Sequence, residues 1–237
     1  MTTNWAVAAA IALILINPAT SFANDIYITS IGDNLDLEIT QEGEDNAVGS
    51  STNASTNNGD TNKLFIKQKN TGQAAASGTI EFDVTGDNNN VQLGQGYTGS
   101  TAGNIFGNTD TTESGAKFIE LNVTGDSNNV HVGQRNGSVG TYSGHIATVD
   151  ITGNSNSVDA EQTNDGLKSV DIDLTGNGHS VFSRQMSEGA HTSTINLSNG
   201  GGAYSLNVTQ NSLTAQTYSL TGTCYVAGGC AVSVTQN

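Results

Sequence analysis

The chain has 237 residues, of which only 12% are charged, with 29 glycines and a single proline. Its formal net charge is −15, and no basic cluster interrupts it. That argues against nucleic acid, because phosphate binding needs Lys and Arg to displace counterions, and against attraction to an anionic membrane surface. The composition fits either a disordered polar chain or a repeat of short strands and turns, so pattern must decide.

The first segment, residues 1–23, reads as a signal peptide. Ala6 to Ile16 is an apolar run, Pro18 follows, and small residues at Ser21 and Ala23 suit cleavage before Asn24. No Lys or Arg precedes the run, and a retained membrane anchor is the alternative. A transmembrane helix needs roughly 20 apolar residues. No later segment meets that length, so no membrane insertion is expected after cleavage.

From residue 24 onward the chain repeats. Gln41, Gln68, Gln95, Gln134, Gln162, Gln185, Gln210 and Gln236 set the register, at spacings of 23 to 28 residues with one of 39. Four residues before each stands Leu37, Leu64, Val91, Val130, Val158, Val181, Leu206 or Val232. Two residues before, most are again large and apolar, from Ile39 to Val234. This period of two marks a strand with one buried face. A turn precedes each strand, at Gly32, Gly59, Gly86, Gly125, Gly153, Gly176 and Gly222, with Asn199 at the remaining position. Glycine and asparagine tolerate the positive φ of tight turns. Ahead of the turn lies a second alternating strand, such as Ile119, Leu121 and Val123.

The expected fold is therefore all-β, a β-solenoid of about eight strand–turn–strand repeats over residues 24–237. A lone unit cannot bury its apolar face, whereas stacked units share one core. Stacking also places the glutamines in a ladder, where each amide donates and accepts along the axis. In the second repeat Asn53, Ser55 and Asn57 make a polar first strand, expected to fray or loop out. Residues 96–117 are an insertion rich in Gly, Thr and Asn, expected to project as a loop. Cys224 and Cys230 either form a disulfide, as an exported protein allows, or remain free thiols.

The segments Gln41-Glu-Gly43-Glu-Asp-Asn46-Ala47 and Gly86-Asp-Asn-Asn89-Asn-Val91-Gln-Leu93-Gly-Gln95 form a motif, repeated at Gly125 to Gln134 and at Gly153 to Gln162. It resembles the repeat of curlin, the subunit of bacterial curli amyloid fibres. The chain departs from that pattern. Val84, Val123, Ile151, Leu174, Leu197 or Leu220 replaces the glutamine two residues before the turn, His179 replaces a turn asparagine, and Leu35 replaces it in the first repeat. The resemblance implies a secreted, extracellular structural protein in adhesive or biofilm fibres. Its partners would be copies of itself, with a nucleator subunit or an outer-membrane export pore beside them. The competing reading is a monomeric solenoid adhesin or surface-binding module for sugars, including a phage-encoded one, with the insertion as its binding loop.

No catalytic set emerges and no cofactor is expected. The histidines His131, His145, His179 and His191 stand at unrelated positions with no metal-binding spacing. Asp33, Asp60, Asp87 and Asp126 follow the turn glycines, and stacked they form a weak Ca²⁺ candidate. Ordinary Gly-Asp turn chemistry explains the same residues. No capping segment is expected at either terminus, because Ile26 follows soon after the expected cleavage and Val232, Val234 and Gln236 form a complete strand at the other end.

Overall fold

The computed structural model describes residues 24–43, 45–70, 78–98, 108–109, 116–135, 144–199 and 201–237. The expected signal peptide lies outside the described residues, as does most of the expected insertion. In chain order the early strands are β1 (Asp25–Ile26), β2 (Ile28–Ile31), β3 (Asp36–Gly43), β4 (Asn46–Val48), β5 (Ser55–Asn58), β6 (Lys63–Asn70), β7 (Gly78–Thr85) and β8 (Asn90–Gln95). Next come β9 (Tyr97–Thr98), β10 (Asn108–Thr109), β11 (Lys117–Thr124), β12 (Asn129–Arg135), β13 (His145–Thr152) and β14 (Ser157–Thr163). The last are β15 (Lys168–Asp171), β16 (Ser180–Met186), β17 (His191–Asn199), β18 (Tyr204–Asn211), β19 (Gln216–Cys224) and β20 (Cys230–Gln236). No helix occurs among the described residues.

These strands form a β-solenoid. One sheet has eight strands in the order β20-β18-β16-β14-β12-β8-β6-β3, and a second carries β1, β4, β7, β11, β13, β15, β17 and β19 along its length. All pairings in both sheets are parallel and in register, for example Val130 against Val91 and Val158, and Leu121 against Phe82 and Val149. The inner faces meet in one core. Leu64, Val91, Val130 and Val158 from one sheet face Ile80, Ile119, Leu121 and Val149 from the other, all buried. Each such side chain contributes about 1.5–3 kcal/mol on leaving water, which explains why the period of two persists where charge is scarce.

About six turns have a single unbroken strand in the second sheet: β7/β8, β11/β12, β13/β14, β15/β16, β17/β18 and β19/β20. The expected eight repeats survive in the glutamine-bearing sheet, but the first two coils are split. Tyr27 spans β1 and β2, donating its N–H to Val48 O at 2.8 Å and accepting from Ser55 N at 2.9 Å. Residues 49–54 consequently leave the sheet between β4 and β5. Ser55 and Asn57 do not fray. Both are buried in β5, where Ser55 Oγ accepts from Phe82 N and Asn57 Nδ2 donates to Ser30 Oγ. Only Asn53 is in the looped-out part, reaching Glu81 Oε2 at 3.2 Å.

Of the expected insertion, the described residues include the antiparallel pair β9–β10. β9 does not project. It lies against β6, β8 and β12. The outward positions Gln92, Gly94, His131 and Gly133 of β8 and β12 are buried. Lys117, placed at the end of the insertion by sequence, is the first residue of β11.

Candidate functional site

The eight glutamines form one continuous ladder. Nε2 of each donates to Oε1 of the next: Gln41 to Gln68 at 2.9 Å, Gln68 to Gln95 at 3.0 Å, Gln95 to Gln134 at 3.3 Å and Gln134 to Gln162 at 2.8 Å. Gln162 continues to Gln185 at 3.0 Å, Gln185 to Gln210 at 2.9 Å and Gln210 to Gln236 at 2.9 Å. The second Nε2 hydrogen goes to a second-sheet carbonyl, such as Thr79 O for Gln95 or Phe118 O for Gln134. This satisfies an amide that would be costly to bury alone. The ladder has a direction, because every donor points toward the C-terminal end of the stack.

The turns stack as a second column. Asp33 N donates to Asp60 Oδ1, Asp60 N to Asp87 Oδ1, Asp87 N to Asp126 Oδ1, Asp126 N to Asn154 Oδ1 and Asn154 N to Asn177 Oδ1, all at 2.7–2.8 Å. Of the calcium candidate, Asp60, Asp87 and Asp126 thus hold the turn of the preceding coil through their carboxylates. No group of three or more His, Cys, Asp or Glu is placed to hold a metal among the described residues. Glycine precedes them because the turns touch. A Cβ on Gly32, Gly59, Gly86, Gly125 or Gly153 would lie about 2 Å from the carbonyl oxygen of the next turn glycine, as on Gly125, 2.1 Å from Gly153 O. Gly176 closes this series at φ 111°. Gly222 does not belong to it. It sits inside β19 opposite Leu197, where the Tyr204 ring fills the space over it.

Buried asparagines form a third column just inside the turns. Asn62, Asn89, Asn128 and Asn156 donate through Nδ2 to Gly86, Gly125, Gly153 and Gly176 carbonyls. Their Oδ1 atoms accept the backbone N–H of Asn89, Asn128, Asn156 and His179. His179 continues the column in an asparagine's place. In the last coil the sulfurs of Cys224 and Cys230 are bonded, which selects the disulfide over free thiols.

The structure also brings together a column that the sequence reading took apart. Lys117 pairs with His145, His145 with Lys168, and Lys168 with His191, all pointing inward and buried. His145 and His191 are therefore not at unrelated positions. Each opens its second-sheet strand, and that shared position was the available signal. Lys168 Nζ donates to Asp165 O at 2.5 Å, Gly166 O at 3.0 Å, Gly189 O at 3.3 Å and Asn164 O at 3.5 Å. Burial lowers its pKa to about 8, opposed by Asp165 and Glu188. Burial, with help from Lys168 and Lys117, lowers His145 to about 3. His191 is lowered chiefly by burial. The neutral imidazole of His145 thus separates the two ammonium groups, and that of His191 follows Lys168.

Both ends of the stack are open among the described residues. β3 pairs only with β6 and β20 only with β18. Leu37, Ile39 and Gln41 are half-buried at one end, and Val232, Val234 and Gln236 at the other. Gln41 Oε1 accepts no hydrogen bond from the described residues, and Gln236 Nε2 donates only to Thr217 O at 3.2 Å. Comparison of the chain with protein-family models, with curated proteins and with solved structures finds no match.

Proposed function

We propose that this chain is an exported structural subunit that stacks head-to-tail into extracellular, amyloid-like fibres, and that it carries out no reaction. The observation that carries the reading is the polarity of the glutamine ladder. It ends in a free acceptor on Gln41 and a spare donor on Gln236, so a second copy extends it without inverting any amide. Leu37, Ile39 and Gln41 head the columns that end in Val232, Val234 and Gln236, and Ile26 heads the column that ends in Tyr218. Edge strands with unpaired N–H and C=O groups are templates for another chain. A joint between two different ends does not close, and it propagates as a filament.

The curlin-like motif and the signal-like first segment support the same reading. In it the partners are further copies of the chain, together with a nucleating subunit and an export pore. The test is negative-stain microscopy with thioflavin fluorescence on the mature chain, alongside a Val232→Lys, Val234→Lys variant. Filaments from the parent and severely slowed elongation by the variant support assembly. A parent that stays monomeric for days at high concentration overturns it and leaves a monomeric binding module.

A further inference from the structure

Apart from Ile146 and Leu167, the exposed large apolar side chains of the described residues lie on the first and last coils. Three of them share one corner. Ile31 is 64% exposed where β2 enters the first turn, and Tyr225 and Val226 are 80% and 60% exposed in the last. Both segments are terminal members of the same turn column. At the first, Gly59 N donates to Ile31 O at 3.0 Å. At the last, Gly202 N donates to Cys224 O at 3.1 Å and Cys230 N to Ala203 O at 2.9 Å. A Cβ on Gly202 would lie 2.0 Å from Val226 O, so the 224–230 loop rests directly on the turn before it.

Inner turns such as Gly86 and Gly125 are held from the following coil by an Asp or Asn side chain. The last loop has no following coil within the described residues. The Cys224–Cys230 bond closes it instead, with Gly229 N donating to Val226 O at 2.8 Å. Charge is divided between the same two ends. Residues 24–46 carry seven acids, Asp25, Asp33, Asp36, Glu38, Glu42, Glu44 and Asp45, and no Lys or Arg. Residues 189–237 carry no Asp, Glu, Lys or Arg at all. Two first coils brought together repel, whereas a first coil against a last coil meets no acidic side chain.

From this we infer that the disulfide-closed loop Cys224–Cys230 is a docking knob for a second copy of this chain. It seats Tyr225 and Val226 against Ile31 and the Gly32–Leu35 turn. The inference rests on the head-to-tail reading and adds to it a contact element, a direction and a requirement for the oxidised loop. A few fully covered side chains carry most of an interface's energy, with Tyr prominent among them.

The experiment measures elongation from sonicated parental seeds. It compares the oxidised parent, the parent under a reductant, a Tyr225→Glu, Val226→Glu variant and an Ile31→Glu variant. The substituted side chains are exposed, and unchanged far-ultraviolet circular dichroism and thermal midpoint verify the fold of each. About tenfold slower elongation by both variants and by the reduced parent is expected. Each variant retains one intact end. Sub-stoichiometric amounts should therefore cap growth, the loop variant at one filament end and the Ile31 variant at the other. Parental filaments with variants and reduced protein elongating within about twofold of the parent overturn the knob but leave the fibre reading standing. No parental filaments at all removes both.

Discussion

His179 stands on Asn156 and repeats its chemistry with a different ring. Asn156 Oδ1 accepts the His179 N–H at 2.9 Å, and His179 Nδ1 in turn accepts the Tyr204 N–H at 3.0 Å. The other ring nitrogen, Nε2, is 3.2 Å from Thr175 O and is the donor. The imidazole must therefore be neutral, with its proton on Nε2, to serve as an asparagine. Burial lowers its pKa, against the opposing pull of the Thr175 carbonyl.

Acid should weaken the coil through its inward histidines. His145, His179 and His191 all have folded-state pKa values below the ordinary 6.5. Their contribution is complete above pH 6.5. It is lost as pH falls through the folded values, down to about 3 for His145. The slope is at most about 1.4 kcal/mol per pH unit for each group. Urea midpoints should decline from pH 7 to pH 4, and His179→Asn should flatten the decline while keeping the stability at pH 7. An unchanged slope in that variant would show that His179 does not titrate between the two states.

Inside the ladder a single amide serves both neighbours. Gln162→Leu should cost about 2–4 kcal/mol, because Gln134 loses its acceptor and Gln185 its donor, both buried. The same change at Gln41 removes one such bond at a half-buried edge and should cost under about 1 kcal/mol. Equal losses at the two sites, measured by denaturant unfolding, would contradict the ladder.

Turn glycines should differ sharply from one another. Gly125 combines φ +128° with a Cβ position 2.1 Å from Gly153 O. Gly178 has φ +73°, and its nearest neighbour would be Ala203 Cβ at 3.6 Å. Alanine should cost roughly 3 kcal/mol or more at the first and about 1 kcal/mol at the second. Thermal midpoints of the two variants test the ranking.

Lys168 should prove a structural cation. Lys168→Met keeps the stem but removes the ammonium that four carbonyls share, and should lower stability by about 2–4 kcal/mol. The side chain is fully buried, so an exposed control such as Lys63→Met should change little. A variant as stable as the parent would show that the carbonyls find other partners.

Much of this architecture is legible in the sequence because one stretch of every inner repeat has fixed length. Gln41 stands nine positions after Gly32, as Gln68 does after Gly59, Gln95 after Gly86 and Gln134 after Gly125. That segment holds the turn, the asparagine and the glutamine-bearing strand, all locked by axial hydrogen bonds. Gly222 was misplaced because it keeps the order of a turn glycine without the spacing. The inward basic column escaped notice for a related reason. Lys117, His145, Lys168 and His191 follow connections of different length, and they align only when counted back from the turn, eight positions before Gly125, Gly153, Gly176 and Asn199. Ser55 and Asn57 read as loop because a buried polar side chain and an exposed one look alike until their partners, Phe82 N and Ser30 Oγ, are known.

The parallel register also sets how the stack would meet mechanical tension. Bonds between coils, such as Gln134 to Gln162 or Asp126 N to Asn154 Oδ1, run along the axis, while the covalent chain winds around it. A pull along the axis loads those hydrogen bonds in series and separates the stack one coil at a time from an open end. Cys224 and Cys230 are joined within a single coil, at a separation of 6 residues. Their bond lies across the pulling direction, so it keeps a loop in shape and bears none of the tensile load.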